Sequence, residues 1–294
     1  MRVLVIGAAG QLGSDLVRNN PGYELIAASR QELDLTDVEG ISARIKATGV
    51  DWVINTAAFH NVVKCEEEPG RAFELNCVAV RNLARICQEQ NVQLMTFSTD
   101  YVFGGDQLRP YSEEDRPAPL QIYGISKLAG EMAARAAAPE NVTIVRTCGL
   151  FGNAGAASKG GNFVDNRVAD GHRGGRLEIS SDQIVCPTST QDLSVAVHAL
   201  IGNPAAMPGI YHLINEGECS WYEFTAAIFE HLRIDVDLRP VDRGGRSGVV
   251  RRPRYSVLAN TNAKSLGIQL PNWKDALKRY LKEKFPRPEV AGRD

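Results

Sequence analysis

The chain has 294 residues, of which 44% are hydrophobic and 23% charged, and its formal net charge is -2 at pH 7. It is long enough to bury a core without disulfides, and this charge balance gives no reason to expect a nucleic-acid or membrane partner. The six cysteines form no CxxC pair and the five histidines form no HExxH motif. We therefore expect buried thiols in a reducing cytoplasm, with no metal site.

Short apolar runs alternate with helical segments through the first half of the chain. Strands are predicted at "RVLVIG", "YELIAAS", "DWVINTAA", "VQLMTFST" and "VTIVRTCGLFG", each separated from the next by an amphipathic helical segment. Strands with few charges between such helices indicate a parallel sheet that is covered on both faces. The predicted fold class is α/β, a Rossmann-type doubly wound parallel sheet.

This regular alternation stops near residue 150. A loop rich in Gly and Ala follows, and then strands at "RLEIS" and "GIYHLI", helices at "STQDLSVAVHALIG" and "SWYEFTAAIFEHL", a basic glycine-rich loop and a last helix. We expect a dinucleotide-binding domain over residues 1–150, to which the chain returns near 180–214. Residues 151–179 and 215–294 are expected to form a smaller C-terminal α/β substrate domain.

The motif "GAAGQLG" directly follows the first predicted strand and opens a helix. Its glycines Gly7, Gly10 and Gly13 allow a tight turn, a close approach of the backbone to a pyrophosphate, and close packing of helix on strand. The helix N-terminus adds free N–H groups and the positive end of a dipole. At the start of an alternating α/β chain, this spacing predicts a dinucleotide site.

The end of the second strand bears on the choice of dinucleotide. An NAD site usually has an acidic residue there, whereas this chain has Ser29 and Arg30, which suit the 2′-phosphate of NADP. We therefore expect NADP, with NAD as the alternative. Asp34 and Leu35 are expected beside the adenine.

Tyr123 and Lys127 in "IYGISK" are four residues apart, so a helix places them on one face. A lysine charge near a phenol favours phenolate and lowers its pKa, which would tune the phenol for proton transfer. Thr99 ends the strand "VQLMTFST", and its hydroxyl could hold a substrate carbonyl at the edge where such folds bind ligands. An isolated YxxxK would be only a solvated pair, but this one follows the predicted cofactor loops.

These motifs resemble those of the extended short-chain dehydrogenase/reductase superfamily, and within it those of the dTDP-4-dehydrorhamnose reductases. The segments that carry the resemblance, in order, are "GAAGQLG", "NTAAF", "KCEEEPGRAFELN", "STDYVFGG", "YGISKLAGE", "RTCGLFG", "DQIVCPTSTQDL" and "RPRYSVL". They span nearly the whole chain. One departure is Gly149, which stands where rhamnose-forming enzymes typically carry a tryptophan.

The resemblance implies NAD(P)H-dependent reduction of the C4 ketone of a nucleotide-linked 6-deoxysugar, in dTDP-rhamnose and surface-polysaccharide biosynthesis. It implies that Tyr123 protonates the forming alkoxide, that Lys127 holds the nicotinamide ribose and polarises Tyr123, and that Thr99 bonds the reacting oxygen. Asp100 is implied near the substrate. The remaining cofactor-lining residues that it implies are Gln11, Leu12, Ala57, Ala58 and Phe59.

The second domain offers groups for a nucleotide sugar. Arg252 lies in a loop with four further arginines and could bind a diphosphate, although a solvated basic loop is an equal reading. Asn162 and Phe163 follow the loop 153–161 and could close on the substrate, although core packing is an equal reading for Phe163. Two other functions stay open, an epimerase that keeps NAD bound and a regulatory subunit that catalyses nothing. A homodimer is compatible with the sequence.

Overall fold

The computed structural model describes residues 1–154 and 160–286. The first half of the chain alternates strands and helices, as the sequence predicts. Its elements are β1 (Arg2–Ile6), α1 (Gln11–Arg18), β2 (Glu24–Ala28), α2 (Val38–Thr48), β3 (Trp52–Asn55), α3 (Val62–Glu67), α4 (Pro69–Phe73), a π-helical turn (Glu74–Val78), α5 (Ala79–Glu89), β4 (Gln93–Thr99), a 3₁₀ turn (Asp100–Val102), α6 (Ile122–Ala137) and β5 (Val142–Thr147).

The second half contains shorter strands and five helices in its described part. Its elements are β6 (Leu150–Phe151), α7 (Phe163–Arg173), β7 (Arg176–Ser180), β8 (Ile184–Val185), β9 (Thr188–Ser189), α8 (Thr190–Ile201), β10 (Gly209–His212), β11 (Cys219–Ser220), α9 (Trp221–Leu232), β12 (Asp237–Val241), β13 (Arg246–Ser247), β14 (Val250–Arg251), α10 (Thr261–Ser265) and α11 (Trp273–Lys284).

The central sheet has six strands in the order β10-β5-β4-β3-β1-β2, and every neighbouring pair is parallel. Successive residues of a strand point to opposite faces, so β1 directs Leu4 and Ile6 into one apolar cluster and Val3 and Val5 into another. Both faces of the sheet are therefore buried under helices, which confirms the predicted Rossmann-type α/β fold.

The chain leaves this sheet after β5 and rejoins it at β10, which pairs with β5. Between them, α8 packs with α1 in the cluster on one face of the sheet. A third cluster gathers α7, α9 and α11 around Phe224 and Trp273, and it supports the pair β7–β12. The return of the chain and the separate cluster fit the expected two-part organisation, whose boundary at residue 150 stays a prediction.

Candidate active site

The glycine loop between β1 and α1 is shaped by close backbone contacts. Gly7 has φ +79, and a Cβ at Gly13 would lie 2.3 Å from the carbonyl oxygen of Gly7. The loop therefore packs α1 directly against the strand, as the motif predicts. Gly10 caps α1 without a side-chain hydrogen bond, so no cap side chain occupies the first N–H groups of the helix, at Gln11 and Leu12, which could serve as anion donors.

The buried polar atoms with no hydrogen-bond partner in the described part of the chain include two at the carboxyl edge of the sheet. They are Oε1 of Gln11, at the start of α1, and Oγ1 of Thr147, at the end of β5. Buried polar groups are normally satisfied, and ligands of doubly wound folds bind at this edge. The residues present therefore fit a dinucleotide.

The predicted 2′-phosphate pocket follows β2. Arg30 is largely exposed, and its Nε lies 3.2 Å from an Oδ2 of Asp34. Hydrogen bonds from Thr36 hold the pKa of Asp34 below its usual value. The backbone N–H of Ser29 donates to Glu32 over 2.8 Å, and Leu35 is buried in the core. Arg30 therefore lies after β2, where the sequence predicts it. To bind a 2′-phosphate, its guanidinium must give up the ion pair with Asp34.

The loop after β3 is fixed by Asn76, a residue that the sequence analysis did not single out. Its side chain accepts from the N–H of Phe59 and donates to the carbonyl of Phe59, both at 2.9 Å, and it also donates to Ser126. Asn76 lies in the π-helical turn, where the sequence predicts an uninterrupted helix over 70–90. Single π-turns often mark functional sites, and this one holds the loop of Ala57 and Ala58 beside α6.

The structure brings Thr99, Tyr123 and Lys127 to the carboxyl end of β4 and the start of α6. Lys127 is buried, and burial lowers its pKa to about 8. The side chain of Thr99 lies close enough to the phenol of Tyr123 to act on its pKa, which it lowers. The sequence predicts Tyr123 and Lys127 for proton transfer and Thr99 for holding the substrate carbonyl.

The expected acidification of Tyr123 is not what the structure gives. Burial and the charge of Asp100 raise its pKa above the usual value, and the contact with Thr99 only partly opposes them. The phenol therefore stays protonated near neutral pH, which suits a proton donor.

A buried ion pair stands one helical turn beyond Lys127. Glu131 of α6 binds Arg146 of β5 through two bonds of 2.9 and 2.6 Å, and both side chains are almost fully buried. Ser98 also donates to Glu131. The charge of Glu131 raises the pKa of Lys127 against the effect of burial. The pair fixes α6, the helix that carries Lys127, against the sheet, and no spacing signal in the sequence pointed to it.

Arg252 is the arginine of the basic loop that reaches this site. Its Nη1 donates to the hydroxyl of Tyr101 over 2.8 Å, and the Tyr101 ring meets the Tyr123 ring edge-on at 6.2 Å between centroids. Burial raises the pKa of Tyr101 to about 12, with the Arg252 charge opposing it. Arg254, by contrast, is bound to Asp242. Arg252 therefore places a positive charge against Tyr101, whose ring in turn contacts that of Tyr123.

Two other expected substrate groups lie differently. Asn162 caps α7, and its amide donates to the carbonyl of Gly152 and to the hydroxyl of Tyr280, so its polar atoms are engaged within the protein. Part of the loop 153–161 lies outside the described residues. The ring of Phe163 packs against that of Trp221 in a tilted arrangement, with 4.4 Å between centroids. The structure assigns both residues clear packing roles, and their contact with substrate stays a prediction.

Gly149 adopts φ +55, and a Cβ there would lie 3.4 Å from Cη2 of Trp221 and 3.3 Å from Cα of Pro187. The indole of Trp221 therefore already covers this position. The aromatic surface that the sequence lacks at residue 149 is supplied by α9, from another part of the chain. An indole therefore lies beside Gly149, the position at which the sequence departs from the tryptophan that is typical of the family it resembles.

Helices over residues 1–154 and 160–286 include none with the length and apolar character needed to cross a membrane. Within the same ranges, no group of three or more His, Cys, Asp and Glu side chains is placed to hold a metal ion.

A phosphate-binding loop, a buried lysine, a protonated phenol and a hydroxyl at the strand end together define an oxidoreductase of the extended short-chain dehydrogenase/reductase class. The family model described as "RmlD substrate binding domain" matches residues 1–285, and the chain belongs to this family.

Named relatives agree with that assignment. The spore coat polysaccharide biosynthesis protein SpsK of Bacillus subtilis is 37% identical over 285 residues, which cover 96% of this chain and 98% of that protein. The dTDP-4-dehydrorhamnose reductase of Sinorhizobium fredii is 34% identical, with 96% and 97% covered. A crystal structure of the Bacillus anthracis dTDP-4-dehydrorhamnose reductase in complex with NADP matches with a TM-score of 0.89, at 34% identity, covering 96% of this chain and 99% of that one.

Proposed function

We propose that the chain is an NADPH-dependent reductase of the C4 keto group of a dTDP-linked 6-deoxysugar, acting in dTDP-rhamnose and polysaccharide biosynthesis. The observation that carries the proposal is the meeting of Thr99, Tyr123 and Lys127 at the carboxyl end of β4, in a chain of this family. The names of its relatives supply the substrate class and the pathway. A nucleotide sugar is therefore the expected ligand, and a homodimer and a cytoplasmic location stay predictions.

The cofactor would be held by the glycine loop and the first turn of α1, with Arg30 at its 2′-phosphate. When bound, NADPH supplies the hydride. The NADP named in the structure of the Bacillus anthracis relative supports this choice over NAD. The orphaned Oε1 of Gln11 gives this chain a further polar group for the cofactor.

Tyr123 acts as the general acid and transfers its phenolic proton to the oxygen of the reduced carbonyl. Its raised pKa keeps that proton in place until negative charge develops on the oxygen. Lys127 contributes a positive charge below its pKa of about 8, and this charge favours the phenolate that remains. Arg252, held by Tyr101, provides a cation for the substrate diphosphate.

The test follows NADPH oxidation with a dTDP-4-keto-6-deoxysugar, comparing wild type with Tyr123→Phe. Loss of the proton donor should lower kcat by about 100- to 10,000-fold. Tyr101→Phe is the matched control, because it removes a neighbouring phenol that orients Arg252; we expect it to raise KM with a much smaller effect on kcat.

Equal turnover by wild type and Tyr123→Phe would remove Tyr123 from the mechanism. Binding of NADPH without turnover of any sugar nucleotide would favour the regulatory subunit. A purified protein that carries stoichiometric NAD and needs no added cofactor would indicate the epimerase instead.

A further inference from the structure

We propose that Glu66 is a positioning residue for Tyr123, because its carboxylate fixes the first turn of the helix that carries the phenol. The inference rests on the proposed function, in which Tyr123 gives its proton to the substrate oxygen. Glu66 belongs to the segment "KCEEEPGRAFELN" and lies in α3, outside the residues that the sequence predicts for catalysis or binding.

The contact is made at the first backbone N–H of α6. Ile122, which directly precedes Tyr123, donates this proton to Oε1 of Glu66 over 2.8 Å. The N–H groups of a first helical turn have no partner within the helix, so they need acceptors from outside it. The side chain of Gln121 serves a different donor, the N–H of Gly124, over 3.0 Å. A carboxylate suits the positive end of the helix dipole, so Glu66 completes the cap of the turn that holds the phenol.

Glu66 is itself tied to the loop after β3, which is predicted to line the cofactor. Asn61 of this loop caps α3 through its side chain. Cys65, the residue before Glu66, donates its thiol proton to the carbonyl of Phe59 over 3.4 Å. A short path of hydrogen bonds therefore runs from the cofactor loop through α3 to Ile122. Through this path, Glu66 sets where the start of α6 stands relative to the cofactor loop.

The 3₁₀ turn after β4 holds the same part of α6 at a second point. A Cβ at Gly124 would lie 2.1 Å from the carbonyl oxygen of Tyr101, so the helix backbone contacts this turn directly. Asp100 anchors the turn in the core, since it is 3% exposed and its Oδ2 accepts from Ser256 over 2.6 Å and from Cys148 over 3.1 Å. Asp100 is thus engaged within the protein, and its contact with substrate stays a prediction. The catalytic tyrosine therefore lies between two anchors, this turn and the carboxylate of α3.

The consequence of losing one anchor should be local. A helix end opens at much lower free energy than the helix interior, so the loss of a cap acts mainly on the terminal turn. Tyr123 is the second residue of α6, whereas Lys127 lies one turn further on and is buried. Removing Glu66 should therefore displace the phenol and leave the lysine in place.

The first test compares Glu66→Ala, which removes the acceptor, with Glu66→Gln, which keeps an amide oxygen for Ile122. We expect Glu66→Ala to lower kcat by about 10- to 100-fold, as a misplaced catalytic group does. The Kd of NADPH and the KM of the keto sugar should change by less than about threefold, because neither ligand loses a contact. Glu66→Gln should recover most of the activity. The control is Glu67→Ala at an exposed position of α3, which should leave kcat within about twofold of wild type.

A double-mutant cycle separates placement of the phenol from general support of the fold. If Glu66 acts through Tyr123, then adding Glu66→Ala to Tyr123→Phe should lower kcat by less than about threefold, since no phenol is left to misplace. A full loss on the Tyr123→Phe background, no recovery by Glu66→Gln, or a loss seen mainly in KM or in NADPH affinity would overturn the proposal.

Hydrogen exchange of the Ile122 amide, followed by NMR, tests the contact without turnover. This proton should exchange slowly in wild type and Glu66→Gln, and at least about tenfold faster in Glu66→Ala. If Glu66→Ala does not fold, Glu66→Asp, whose carboxylate is one methylene shorter, takes its place in each comparison. A rapidly exchanging Ile122 amide in wild type contradicts the proposal. Wild type in which Glu66 protects this amide, but which reduces no sugar nucleotide, would refute the proposed function alone.

Discussion

Burying the charge of Lys127 should lower the free energy of unfolding. An uncharged side chain of similar length at this position should restore it. An ordinary lysine has a pKa of 10.5, and burial lowers that of Lys127 to about 8. This difference corresponds to about 3 kcal/mol of unfavourable free energy for keeping the side chain charged in the folded state. We therefore expect Lys127→Met to raise the free energy of unfolding near pH 7 by up to about 3 kcal/mol, while abolishing reduction of the sugar.

The sign of the pH dependence follows from the lowered pKa. Below about pH 8 the lysine is charged in both states and the full cost is present. Between about pH 8 and the unfolded value of 10.5, the unfolded chain binds the extra proton, so wild-type stability rises with pH. The advantage of Lys127→Met over wild type should therefore shrink across that range.

Urea unfolding of wild type and Lys127→Met at about pH 7 and about pH 10 measures both effects. The control is Lys282→Met on the exposed face of α11, which should change stability by less than about 0.5 kcal/mol. A Lys127→Met protein that is less stable than wild type near pH 7, or a gap that does not vary with pH, would refute the reasoning.

Two further predictions concern cofactor choice and the buried ion pair. Arg30→Asp should weaken NADPH binding by about tenfold or more and NADH binding much less, because a charge-assisted bond to phosphate is lost. Titration of both cofactors measures this difference, with Arg81→Asp at an exposed position as the control. An unchanged cofactor preference would mean that the 2′-phosphate is recognised elsewhere. Glu131→Gln should lower the free energy of unfolding by about 3 kcal/mol or more, since it leaves its arginine partner buried without a counter-charge, whereas Glu89→Gln, whose ion pair is exposed, should cost under about 1 kcal/mol. The same Glu131→Gln change should lower the pKa of Lys127 further, so activity should begin to fall at a lower pH than in wild type. An unshifted pH profile would contradict this electrostatic role of Glu131.

The fold and the candidate catalytic groups could be predicted from the sequence because each depends on a local pattern. Apolar strands between amphipathic helices, the glycine spacing after β1 and the four-residue spacing of Tyr123 and Lys127 are all properties of short segments. The structure confirms the parallel sheet that they predict and places Thr99 beside the tyrosine.

What the sequence could not show is how distant segments meet. The pairing of Glu131 with Arg146, the contact of Trp221 with Gly149 and the donors around Asp100 join parts of the chain with no common periodicity. The pKa of Tyr123 is an example, because the direction of its shift depends on the balance of burial against nearby charges in the folded protein. A lysine four residues away was visible in the sequence, but the depth of the pocket was not.

The buried ion pair of Glu131 and Arg146 has a consequence for the thermal stability of the region around it. Hydration of charged groups becomes less favourable as temperature rises, so the free energy lost by keeping such a pair away from water decreases, while hydrophobic stabilisation levels off. The junction of α6 with β5 should consequently be among the last regions to loosen. Amide exchange in α6 would then remain slow at temperatures where the C-terminal helices already open.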